Sequence, residues 1–115
     1  MRSALFLLAG LLLLTTAGYH LMGQSTVGSW LDGREGDTLA ALWLAPALAW
    51  AAVGAYWFYH AFSEKSPSWG AVLVTVASPL SVAIPLALLV DPYHPGVYML
   101  IASAALALWA KKRLP

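Results

Sequence analysis

The chain contains no cysteine. That excludes disulfides, thiolate metal sites and cysteine nucleophiles, and it leaves the redox compartment open. Charge is nearly as scarce: 10% of the 115 residues are charged, against about 25% in an ordinary soluble domain, whose surface must be wetted. Six basic and five acidic side chains cannot wet a globule of this size. The net charge of +1 offers no clustered basic surface, so no nucleic-acid partner is expected. The sequence also lacks a phosphate-binding glycine loop, a zinc-binding helix motif and a dinucleotide-binding turn. No cofactor can be assigned from it, and nothing marks it as an enzyme.

What is present is apolar. Hydrophobic residues make up 61% of the chain, gathered into runs at about 3–22, 39–62, 70–90 and 97–110. At 1.5 Å per residue the first three can cross a hydrocarbon core of roughly 30 Å. The last, at about 21 Å, is short unless it begins nearer Tyr93 or Lys111 and Lys112 snorkel. The expected fold is therefore all-α: one polytopic domain over 1–115, with four transmembrane helices in an antiparallel bundle. The first run opens with Arg2 and contains Thr15-Thr16-Ala17, features of a secretory signal, but it exceeds the usual apolar core of one. It reads as a retained helix.

Residues 23–38 read as an outer loop, with Gly23, Gly28, Gly33 and Gly36 interleaved with Asp32, Arg34, Glu35 and Asp37. Within it, Ser25 to Leu31 suggests one interfacial turn anchored by Trp30, and Asp37 or Thr38 suits the N-cap of the second span. Four spans put Arg2, Lys65, Lys111, Lys112 and Arg113 on one side and Arg34 alone on the other. The positive-inside bias then makes both termini cytoplasmic, and a bacterial inner membrane is the simplest setting.

Between helices in lipid, small residues and interhelical hydrogen bonds must supply the cohesion. Ala45, Ala49, Ala52 and Gly54 in the second span, Gly10 and Ala17 in the first, and Ala102 to Ala105 in the fourth suit that purpose. Trp43, Trp50 and Trp57 recur every seven residues and so share one stripe. Trp43 and Trp57 read as an interfacial belt. Trp50 falls near mid-membrane, where its indole N–H needs an acceptor.

The third span offers Ser78 and Ser81 at that depth, together with Pro79 and Pro85. Each proline deprives the carbonyl four residues earlier of its helical partner, as does Pro46 in the second span. Pro46 and Pro85 both fall in the outer half. The pattern predicts a splayed pair of helices enclosing an outward-opening cavity whose candidate ligand-binding residues are Trp43, Pro46, Trp50, Ser78, Ser81 and Pro85. The plainer account is that the prolines only shape the bundle.

Every histidine follows a tyrosine, at Tyr19-His20, Tyr59-His60 and Tyr93-His94. His60 belongs to the cytoplasmic end and the other two to the outer end, so bis-histidine haem ligation between the two ends is excluded. His20, His94 and Asp91 form a candidate divalent-metal set, although interfacial packing explains the same residues. No carboxylate, lysine or arginine lies within a span, which argues against ion-coupled transport.

These features point to a protein that acts by binding. It is expected either to be an accessory or assembly subunit of another membrane protein, or to hold a hydrophobic small molecule or lipid in the cavity. Its partners would be membrane lipid, another membrane protein or copies of itself. The alternative is a homo-oligomeric transporter of a small neutral or hydrophobic solute. An enzyme working on the outer face through His20 and His94 ranks last.

Overall fold

The structure is a computed structural model that describes residues 2–115. It is all-helical: α1 (Ala4–Met22), a short α2 (Gln24–Gly28), α3 (Gly33–Phe62), α4 (Trp69–Leu89) and α5 (Pro95–Arg113). Three helical stretches, Ala4–Gly28, Gly33–Phe62 and Trp69–Leu89, are long and apolar enough to cross a membrane. The surface agrees with that. Leu89, Leu88 and Val74 are 82%, 77% and 74% exposed, which suits lipid and not water. Trp30, Tyr93 and Tyr19 stand exposed at one end, and Trp69, Trp109 and Tyr59 at the other, as aromatic girdles do.

The helices begin where short polar side chains can cap them. Ser3 accepts a hydrogen bond from the Phe6 amide at 3.2 Å, and Ser68 one from the Ala71 amide at 3.1 Å. His94 does the same for α5: its Nδ1 accepts from the Gly96 amide at 3.0 Å, with Pro95 just inside the helix. α5 thus starts two residues before the expected span and runs through Lys111, Lys112 and Arg113.

The second span differs more. α3 begins at Gly33, and its N-cap is Asp32, not Asp37 or Thr38. Residues 33–38, read as loop, are its first turns; Gly33 enters them at φ +58°, a conformation that suits glycine. The cause lies in packing. A Cβ on Gly36 would collide with the Leu31 and Gly28 carbonyl oxygens, so α2 folds directly against the start of α3. Two of the loop glycines are contact residues.

α1 and α3 make the closest seam. A Cβ on Gly10 would stand 2.7 Å from the Gly54 carbonyl oxygen and 2.8 Å from the Phe58 nitrogen, and Gly54 has the reciprocal crowding against Leu14. Such close approach lets dispersion hold helices together where no hydrophobic drive exists. The first residues of α1 meet the last of α3, since the Ala61 carbonyl accepts from the Arg2 and Ser3 amides at 2.7 and 3.2 Å. At the far end the Trp43 indole donates to the His20 carbonyl at 2.6 Å. α5 packs against both α1 and α4, whereas α3 and α4 touch lightly.

The tryptophan stripe faces inward. Trp57 is fully buried and does not belong to a belt. Its indole donates to the Thr75 hydroxyl of α4 at 3.0 Å, and that hydroxyl in turn donates to the Ala71 carbonyl at 2.9 Å. The belt role passes to Trp30, Trp69 and Trp109.

Candidate functional site

Where α3 and α4 part, the bundle encloses a cavity of about 490 Å³ at the end that carries His20 and His94. That is room for a small molecule. α1 contributes Thr16, Tyr19 and His20, and α3 contributes Trp43 and Trp50. Val82 and Leu86 of α4 face Met99 and Leu100 of α5, with His94 at the start of α5. No Asp, Glu, Lys or Arg side chain takes part in this lining.

One wall is flat and aromatic. The His20 and Trp43 rings are stacked, with centroids 4.0 Å apart and planes within 9° of each other. Trp43 is fixed there by its bond to the His20 carbonyl, which also accepts from the Gly23 amide at 3.1 Å. Trp50 meets His20 edge-on, with centroids 5.0 Å apart. Two polar atoms in this cluster are buried without a hydrogen-bond partner, Trp50 Nε1 and His20 Nε2. Trp57, one heptad further along, has Thr75; Trp50 has nothing equivalent.

The expected site residues divide into two groups. Trp43, Trp50, His20 and His94 come together on the cavity wall. Ser78, Ser81, Pro46 and Pro85 do not line it. The Ser81 hydroxyl is exposed and donates to the Ser78 carbonyl at 2.7 Å within its own helix, and Pro85 is also exposed. Helix rotation accounts for this: α4 turns Val82 and Leu86 inward, which carries Ser81 and Pro85 to the outside.

The metal set does not assemble. Asp91 is absent from the cavity lining, and its carboxylate accepts from the Tyr93 amide at 2.8 Å in the turn before α5. Among the described residues, no group of three or more His, Cys, Asp or Glu side chains is placed to hold a metal ion. His60 lies at the other end, with Nδ1 3.0 Å from the Lys65 carbonyl and Tyr56 edge-on to its ring.

Nothing in the sequence singles out Thr16, Met99 and Leu100, because apolar and small residues on a helix carry no mark of which neighbour they meet. Thr16 spends its hydroxyl on the Leu12 carbonyl at 2.8 Å. Two other hollows open on the surface, one beside Arg34 and Glu35 and one beside Phe58 and Phe62. Neither contains a buried unpartnered group. No family model, curated protein or solved structure matches this chain.

Proposed function

We propose that this protein crosses the membrane four times as an antiparallel bundle, with α5 as the fourth span and both termini cytoplasmic, and that it binds a hydrophobic small molecule or lipid in the outward-opening cavity. The positive-inside count supports the orientation: Arg2, Lys65, Lys111, Lys112 and Arg113 fall on one side. A bacterial inner membrane is the setting that fits this bias. α5 has an uncharged stretch of 16 residues from Pro95 to Ala110, about 24 Å of helix. Its basic last turn reaches the interface by snorkelling.

One observation carries the binding reading: Trp50 Nε1 and His20 Nε2 are both buried, both unpartnered and both beside one apolar cavity. An unmet buried polar group costs about 1–3 kcal/mol, and native proteins keep few of them. A ligand that fills the cavity and bonds these atoms removes that cost. The test is organic extraction of protein purified in mild detergent, followed by mass spectrometry. An uncharged amphiphile at about one per chain is expected, and Val82→Trp, which fills the space, should abolish it. Protein that carries no such molecule, and takes none from a native lipid extract, would refute the proposal.

A second reading, assembly with another membrane protein or with copies of itself, is favoured by Ala41, Ala45, Ala49 and Ala52. These stand exposed along one face of α3 at helix-contact spacing. Ala45→Leu and Ala49→Leu should break any complex that uses this face, as read by cross-linking in native membranes. A homo-oligomer sealed there would be the setting for transport of a neutral solute.

A further inference from the structure

We infer that the ligand of this cavity is a flat, uncharged ring bearing carbonyl oxygens and an apolar tail, a quinone-type molecule; the inference rests on the binding function proposed above. The wall states what each part of the ligand must be. No charged side chain lines the cavity, so a phosphate, carboxylate or ammonium head would enter without a counter-charge. The indole N–H of Trp50 can only donate, so the ligand must place an acceptor against it.

His20 Nε2 belongs to the same locus, since the two rings are 5.0 Å apart and edge-on. A carbonyl oxygen has two lone pairs: one accepts from Trp50, and the other accepts from His20 in the tautomer that carries its proton on Nε2. At the cavity's His94 side, Nδ1 accepts from the Gly96 amide, which puts the proton of the neutral ring on Nε2. That gives a second donor for a second carbonyl.

Planarity follows from the stacked pair. The His20 and Trp43 rings, stacked with planes parallel to within 9° and both on the cavity wall, offer aromatic surface against which a flat ring gains stacking and a bent chain does not. The remaining wall, Val82, Leu86, Met99 and Leu100, has only apolar atoms to offer a tail. The lightly touching α3 and α4 leave it a route to the lipid.

The experiment uses the full chain, ¹⁵N-labelled, in micelles. Three probes carry the same short alkyl tail: a naphthoquinone, a naphthalene without oxygens, and an ester with a carbonyl but no ring. The quinone should bind at one per chain and move the Trp50 indole resonance downfield, the signature of a new hydrogen bond. The naphthalene and the ester should each bind at least tenfold more weakly, a difference of about 1.4 kcal/mol. Trp50→Phe should lose about tenfold for the quinone and nothing for the naphthalene. If that variant does not fold, the three wild-type affinities decide the matter alone. Equal binding of naphthalene and quinone overturns the carbonyl requirement, and equal binding of ester and quinone overturns the ring; either leaves an apolar site standing. Exclusion of all three probes removes the cavity function itself, and this inference with it.

Discussion

Replacing Gly10 by alanine tests the central seam of the fold with a single methyl group. The added Cβ would lie 2.7 Å from the Gly54 carbonyl oxygen and 2.8 Å from the Phe58 nitrogen. Both are backbone atoms and cannot rotate away. Ordinary contact begins near 3.4 Å, so α1 and α3 must separate by about 0.7 Å over the length of the seam. A gap of that size forfeits roughly a quarter to a half of each contact's dispersion energy. Overpacking of this kind costs about 1–3 kcal/mol, partly offset by up to about 1 kcal/mol from alanine's better helix propensity. The net loss should be on the order of 1–2 kcal/mol.

The same change at Gly18 is the control, because nothing lies within 4 Å of its Cβ position, and it should be neutral or slightly stabilising. Gly54→Ala should fall between the two, since its closest obstacle, Leu14 Cγ at 2.9 Å, is a side-chain atom that can move. The two seam changes should also be non-additive when combined. Thermal unfolding in one detergent, followed by circular dichroism, gives the ranking. If Gly10→Ala proves as stable as Gly18→Ala, the close crossing does not exist and the packing argument fails.

Thr75→Val should destabilise the bundle by about 1–3 kcal/mol, because the fully buried Trp57 then loses its only acceptor. In the background of Trp57→Phe the same change should cost far less, and a double-mutant cycle read by thermal unfolding measures the difference. Pro85→Ala restores an amide able to bond the Ser81 carbonyl, and Pro85 does not line the cavity. It should leave both stability and ligand content no lower than wild type, checked by unfolding and by extraction. With no native cysteine to remove, single substitutions map the topology directly. Glu64→Cys and Lys112→Cys should react with an impermeant maleimide only in inverted vesicles, and Glu35→Cys and Asp91→Cys only in intact cells. Labelling of position 112 from outside would remove the fourth crossing.

Part of the site could be read from the chain because it depends on helical period. Trp43, Trp50 and Trp57 share a face wherever that face points, and Trp50 stood out because an indole at that depth needs an acceptor. Ser78 and Ser81 can supply that acceptor only if α3 and α4 form the closest pair. The structure gives that position to α1 and α3, and His20 of α1 occupies the place assigned to the serines. That His20 and His94 share one end is legible in the sequence; that His20 stacks on Trp43 and His94 caps α5 is not.

The sequence by itself determined that the chain is helical and suited to lipid, because a peptide group in hydrocarbon must bond within its own helix and uncharged runs of this length have no aqueous alternative. Depth and charge bias follow from the same linear facts. The rotation of each helix about its axis, which decides whether Ser81 or Val82 meets the interior, is not encoded in any run of apolar residues, since both faces are greasy. Only the tertiary contacts fixed it. Gly10 against Gly54 and Gly36 against Gly28 set the closest approaches, and the room left where α3 and α4 part became the cavity.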